Sequence, residues 1–148
     1  MAANDSLLHL IEIARNACDN AARDLAERQR LVDAAQAKRE LLAGYWSEYQ
    51  QRQRSIYQVD ATSMTNFYQF VAKLKSSIER HEADSRVLLE RRNQARDVWE
   101  GSQRQLKSLQ KLCGRRLAQA NQATERTQQK FQDELSSQRI YRDAARVA

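Results

Sequence analysis

Apolar residues alternately four and three positions apart run through the first third of the chain. This spacing averages 3.5 residues and is typical of one helix packed along another in a coiled coil, not of a helix on a broad globular core. The pattern predicts a helix over about residues 5–57. Its seam is predicted to comprise Leu7, Ile11, Ala14, Cys18, Ala21, Leu25, Arg28, Val32, Ala35, Arg39, Leu42, Trp46, Tyr49, Gln53 and Ile56, of which only Arg28, Arg39 and Gln53 break the apolar pattern.

The repeat is lost between Gln58 and Asn66, where the residues are small, β-branched or able to cap a helix. Side chains of Ser, Thr, Asp and Asn bond to nearby backbone groups and therefore compete with helix formation. We predict a turn at about residues 58–65, with Ser63, Thr65 or Asn66 as the N-cap of the helix that follows.

A second and more polar repeat predicts a longer helix over about residues 66–141. After Gly114 its register shifts by one residue, which locally changes a supercoil. The predicted fold class is all-α, a long antiparallel two-helix coiled-coil hairpin that forms a single domain and whose second helix is longer than the first by roughly 20 residues. The second seam is predicted to comprise Phe67, Val71, Leu74, Ile78, His81, Ser85, Leu88, Arg92, Ala95, Trp99, Ser102, Leu106, Leu109 and Cys113, then Leu117, Ala120, Thr124, Phe131 and Leu135.

The predicted overhang of the second helix carries several apolar residues. Two interpretations follow: a frayed chain end, because chain termini are usually loosely held, or a stretch that docks on a partner. The apolar residues concerned are Phe131, Leu135, Ile140 and Tyr141.

The composition agrees with two helices and excludes several classes of protein. The 148 residues include no proline and three glycines, too few for the many tight turns of a β-sandwich or a βαβ fold. No apolar run approaches the ~20 residues that span a bilayer, and residues 1–6 lack the basic and apolar regions of a secretory signal. We therefore expect a cytoplasmic protein.

Residues that carry chemistry are too scattered along the predicted hairpin to form a site. His9 and His81 are expected far apart, so they cannot share a metal. Cys18 and Cys113 fall on seam positions ~13 Å apart along the axis, too far for a disulfide. No dinucleotide, P-loop or zinc-protease motif occurs, and two helices offer no enclosed cleft. We expect no enzyme activity, no cofactor and no metal.

Basic residues are concentrated in one stretch of the second helix. The chain carries a net charge of +6, and residues 91–116 contain eight basic side chains against only Asp97 and Glu100. The stretch is either a solvated face or a surface for an acidic partner. Trp99 is its only aromatic residue and falls on the seam, so a stacking platform for single strands is poorly supported. The basic residues are Arg91, Arg92, Arg96, Arg104, Lys107, Lys111, Arg115 and Arg116.

Seven of the ten aromatic residues lie on either side of the predicted turn. Consecutive residues of a helix point in different directions, so some of these rings should be exposed. The cluster is either a packed cap of the hairpin tip or an apolar docking patch. Its members are Tyr45, Trp46, Tyr49, Tyr57, Phe67, Tyr68 and Phe70.

Several of these features recur together in a known family. An alanine-rich first helix and a short turn precede the sequence Asn-Phe-Tyr-Gln-Phe-Val-x-x-Leu, which leads to Ile78-x-x-His81. Leu88-Leu-Glu-Arg-Arg, Trp99 and the run from Lys107 to Arg116 follow. Over nearly the whole chain, this arrangement resembles the flagellar FliJ family, whose relatives serve virulence type III secretion.

The resemblance implies a non-enzymatic stalk in the bacterial flagellar type III protein export apparatus. Family members insert into the hexameric ring of the export ATPase, promote its assembly and activity, contact the cytoplasmic domain of the export gate, and bind export chaperones. By analogy, the open end of the hairpin would enter the ring and the aromatic tip would face the gate. The gate-contact positions of the family would fall on Phe70, Leu74, Ser77 and His81.

The family resemblance also implies a location for the protein. The resemblance implies a peripheral position at the inner face of the cell membrane, reached only through the gate, with no nucleic acid as partner. Two other interpretations of the residues remain open. One is a nucleic-acid-binding hairpin that uses the basic face 91–116 and binds less tightly as salt rises. The other is a structural coiled coil that self-associates through its second seam.

Overall fold

The computed structural model describes residues 2–55 and 60–147. They form two α-helices, α1 (Ala2–Ser55) and α2 (Ala61–Val147), of 54 and 87 residues. No strand occurs within these described ranges. The predicted seam position Ile56, the aromatic Tyr57 and the first predicted turn residues lie outside them.

α1 and α2 are antiparallel where they pack together over residues 16–103, one of two compact units. The Tyr49 ring of α1 lies 6.0 Å from that of Phe67 on α2, between ring centroids. Further back along α1, the Ala35 carbonyl oxygen lies 2.9 Å from His81 Nε2. Residues nearer the start of α1 thus contact residues farther along α2, as in an antiparallel pair. The predicted fold class, an all-α antiparallel two-helix hairpin with a longer second helix, is confirmed.

Most predicted seam positions of both helices are buried or half-buried in this unit. Leu74 and Ala95 of α2 are buried, and Ala21 of α1 is buried as well. Cys18 of α1 is buried too, and the other described seam positions of this unit are half-buried, except Arg39 and Gln53, which are exposed. Small side chains such as Ala21 and Ala95 let two backbones approach closely, so the core is one thin layer of side chains.

The other unit comprises α1 up to Arg15 and α2 from Arg104 onward. Leu7, Ile11 and Ala14 are buried in it. The α2 seam positions in this unit, Leu106, Leu109 and Cys113, are half-buried.

From residue 114 to residue 147, every residue of α2 is exposed. The shifted seam predicted to begin at Leu117 therefore has no covering segment in this unit among the described residues. α2 continues as helix to Val147, beyond the predicted end near residue 141.

α2 begins earlier than the sequence predicts. The expected turn at 58–65 is wrong for residues 61–65, which form the first turn of the helix. Asp60 is the N-cap: its Oδ1 accepts the Ser63 N–H at 3.0 Å, and its carbonyl accepts the Met64 N–H at 3.1 Å. The Thr65 hydroxyl donates to the Ala61 carbonyl at 2.9 Å. The polar side chains in this stretch thus satisfy the helix backbone instead of competing with it.

Charge also favours this helix start. Hydrogen bonds from Ser63 hold the pKa of the Asp60 carboxyl below its ordinary value. The carboxylate therefore stays ionised at the N-terminus of α2, where the helix dipole favours negative charge.

We expect Leu74→Ala to lower the free energy of unfolding by about 2 kcal/mol, because it removes buried methyl groups from the seam and leaves a gap. Leu41→Ala is the matched control, since Leu41 is 56% exposed and Leu74 only 8%. The control should change stability by less than about 0.5 kcal/mol. Urea unfolding followed by circular dichroism measures both. Equal losses for the two variants would contradict the seam described here.

Candidate partner-binding surfaces

Two flanks border the seam within residues 16–103. Phe70 and Ser77 each precede a seam residue of α2 and lie on one side of it. Leu89 and Arg96 each follow a seam residue and lie on the opposite side. The first flank is called the Phe70 flank below.

The four gate-contact positions suggested by the family resemblance occupy different environments. Phe70 is 46% exposed and Ser77 is exposed, so both present side chains on the Phe70 flank. Leu74 is buried in the seam, and His81 is half-buried. The structure thus places Phe70 and Ser77 where a partner can reach them, and places Leu74 and His81 beneath them as support.

His81 is fixed from both helices. Its Nε2 lies 2.9 Å from the Ala35 carbonyl oxygen and 3.3 Å from the Ser85 hydroxyl oxygen. A carbonyl oxygen can only accept, so the first contact is a hydrogen bond when Nε2 carries the proton. This contact gives the polar ring of His81 a hydrogen-bond partner within the seam and joins the two helices at this layer.

The aromatic cluster near the start of α2 is partly packed and partly exposed. The Tyr49 ring lies 4.7 Å from that of Phe70, between centroids, and the Arg52 guanidinium lies 5.6 Å from the Tyr49 centroid. Tyr45 and Tyr68 are 45% and 50% exposed. The cluster is therefore packed in part, and a docking role for its exposed rings stays a prediction. Tyr49, which the resemblance did not single out, supports Phe70 from α1.

The eight basic residues of the stretch 91–116 are divided between the two compact units. Arg91, Arg92 and Arg96 belong to one unit, and the other five belong to the other. Arg92 is half-buried, and its Nη1 donates to Gln29 Oε1 on α1 at 2.9 Å, so it also links the helices. The remaining seven are exposed. No sequence pattern singled out Gln29, because its role depends on the pairing of α1 with α2.

The residues considered for metal or redox chemistry are not gathered. Cys18 is buried, Cys113 is half-buried, and both are free thiols. His9 is exposed. Among the described residues, no three His, Cys, Asp or Glu side chains are placed to hold a metal ion together. Within the same ranges, neither helix contains a stretch apolar enough to cross a membrane.

The sequence model of the family described as "Flagellar FliJ protein" matches residues 3–145. The chain belongs to the FliJ family. A flagellar FliJ protein of Salmonella typhi is 28% identical over 148 residues, covering 96% of this chain and 98% of the relative. A flagellar FliJ protein of Escherichia coli strain K12 is 27% identical over 144 residues, with the same coverage of both chains. The family resemblance inferred from the residues is thus confirmed across almost the full length.

We expect His81→Leu to raise the free energy of unfolding of this FliJ-family chain by about 1 kcal/mol, since leucine adds apolar contact at a half-buried seam position. His81→Ala should lower stability, because it gives up both the hydrogen bond and the ring. Thermal unfolding followed by circular dichroism compares the two variants. A loss of stability for His81→Leu would mean that the bond to the Ala35 carbonyl contributes more than apolar burial.

Proposed function

We propose that this chain is a non-enzymatic stalk of the flagellar protein export apparatus, which promotes assembly and activity of the export ATPase ring and links the ring to the export gate. The observation that supports this most strongly is the match to the FliJ family over residues 3–145 on a chain that folds as a two-helix hairpin. Paired helices bury their side chains against each other and act on partners through their outer surfaces, so contact, not catalysis, is the mode of action.

The segment of α2 from residue 114 to residue 147 is the proposed contact with the ATPase ring. Every residue of this segment is exposed, although it carries large apolar side chains, including Phe131 at 62% and Leu135 at 47%. Helical spacing aligns these two with Leu117, Ala120 and Thr124 along one stripe. An exposed apolar stripe on a helix is suited to a groove or ring opening in a partner.

Such a stripe would act on the ring through differential binding. A partner shifts an equilibrium only if it binds one state more tightly than another. If the stripe binds assembled subunits better than separate ones, it promotes the hexamer. If it binds one arrangement of the ring better than others, it changes the rate of ATP hydrolysis.

The Phe70 flank is the proposed contact with the cytoplasmic domain of the export gate. Phe70 is held by the Tyr49 ring and still presents about half of its surface, which suits an anchor residue at an interface. Ser77 lies on the same flank, while Leu74 and His81 maintain the helix pair below. We also propose export chaperones as partners, and a cytoplasmic location peripheral to the membrane through the gate.

The ATPase contact predicts that adding this chain to its export ATPase raises the rate of ATP hydrolysis and increases the fraction of hexamer. Replacing both Phe131 and Leu135 by serine should remove most of the stimulation, because two of the three large apolar side chains of the stripe are lost and only Leu117 remains. Gln129→Ser is the matched control, since Gln129 lies on the opposite side of the helix. Phosphate release and sizing of the ATPase at ~0.15 M salt measure the two effects.

Three outcomes would contradict this assignment. The wild-type chain could leave both hydrolysis and hexamer formation unchanged. The control variant could lose as much stimulation as the double variant. The double variant could also retain full stimulation. If the wild-type chain, in addition, forms dimers through the stripe, the result would favour the structural coiled coil considered above.

The gate contact predicts that Phe70→Ala weakens binding to the cytoplasmic domain of the gate about tenfold, as truncation of an aromatic anchor does. Tyr68→Ala is the matched control, because Tyr68 is 50% exposed and Phe70 46%, yet the two point in different directions. Isothermal titration calorimetry measures both, with thermal unfolding to check the fold. Equal weakening by both variants would exclude the Phe70 flank as the specific contact.

A further inference from the structure

The flank opposite Phe70 carries a groove that neither the proposed ATPase contact nor the proposed gate contact uses. Trp99 of α2 lines it together with Ala22, Leu25 and Ala26 of α1. Alanine is too short to cover an indole ring, and Trp99 is half-buried, as most seam residues of this unit are. The result is an apolar notch with a large aromatic side chain at its base. We call it the Trp99 groove.

The charged residues that line the Trp99 groove are both arginines, Arg92 and Arg96. Arg92 is partly engaged with Gln29, whose amide also lines the groove. Arg96 is exposed and has no carboxylate within ion-pair distance in the described part of the chain. A ligand that fits this groove therefore needs apolar side chains for the notch and negative charge beside them.

The shape of this flank favours an elongated ligand. Val32 and Leu89 line a second groove farther along the helix pair, and Trp46 and Ile78 line a third. The second and third grooves share Arg39 and Glu82, so they are continuous. All three follow the same side of the seam. A helix that lies along two packed helices inserts its side chains at such intervals, as the third strand of a coiled coil does.

We propose that the Trp99 groove is the docking site for an acidic amphipathic helix of a partner protein. One apolar side chain of that helix enters the notch against Trp99, and carboxylates on its flank pair with Arg96 and Arg92. This site is distinct from the exposed stripe of α2 and from the Phe70 flank, and it does not rest on the proposed function. A nucleic-acid strand would need rings that stack with free faces, whereas Trp99 is half-buried between the two helices.

The probe is a synthetic helical peptide of about four heptads with Ile and Leu at the seam positions and Glu at the flanking positions. Its counterpart has Lys in place of each Glu. The full chain carries Trp46→Phe, which leaves Trp99 as the only tryptophan. Because Trp46 lines the third groove, isothermal titration calorimetry of the unsubstituted chain measures the same binding independently. We expect the acidic peptide to shift the Trp99 emission to the blue and to bind at least about tenfold more tightly than the Lys counterpart at ~0.15 M salt.

Two pairs of variants locate the binding. Ala26→Glu fills the notch with a longer, negative side chain at an exposed position, and Ala37→Glu makes the same change at an exposed position outside the three grooves. Arg96→Glu reverses a charge in the groove, and Arg80→Glu reverses one elsewhere on α2. Ala26→Glu and Arg96→Glu should each weaken binding about tenfold, and their controls should not.

Several results would overturn the proposal. The acidic peptide could fail to bind the wild-type groove, or the Lys counterpart could bind equally well. Arg80→Glu could weaken binding as much as Arg96→Glu, which would indicate general charge attraction. A single-stranded oligonucleotide could shift the Trp99 emission in a manner sensitive to Ala26→Glu while the acidic peptide does not. Thermal unfolding of each variant verifies the fold, and Arg96→Glu tests the site even if Ala26→Glu unfolds the helix.

Discussion

Within residues 16–103, the side chains of α1 and α2 pack against each other along a seam, and the surfaces that this unit offers to partners depend on that contact. A helix can turn only one narrow stripe toward one partner, so two helices bury a thin layer and nothing more. Leu74 and Ala95 are buried on α2 in this unit, and Cys18 and Ala21 are buried on α1. Helices of this length gain most of their stability from such packing and not from intrinsic propensity.

A thin seam leaves most side chains available to partners. Polar residues within the seam, such as His81 and Arg92, are tolerated because each finds a hydrogen-bond partner on α1. They contribute little apolar burial, and their hydrogen bonds join particular layers of the two helices. The arrangement of the two flanks, with Phe70 on one and the Trp99 groove on the other, follows from that pairing.

In the C-terminal part of α2, the apolar repeat has no second helix packed against it among the described residues. The periodic pattern continues through Phe131 and Leu135, yet no described segment of the chain covers them. A pattern of this kind on an uncovered helix is suited to a partner in another molecule, which is why the proposed contact with the ATPase ring lies there. The segments in which α1 and α2 pack together have the same apolar spacing. Spacing alone therefore does not show whether a stripe packs against the same chain or against another molecule.

The sequence by itself determined the two helices, most of the paired seam positions and the family, because helical periodicity and local motifs are properties of one segment at a time. It placed the start of α2 too late, since the cap at Asp60 depends on which of several polar residues bonds to the backbone. The seam pattern already placed Leu74 on the seam and Phe70 beside it, and only the tertiary structure showed that the Tyr49 ring of α1 packs against Phe70. It alone brought Ala22 and Ala26 opposite Trp99, because the relative register of two distant helices is set by packing across the whole seam.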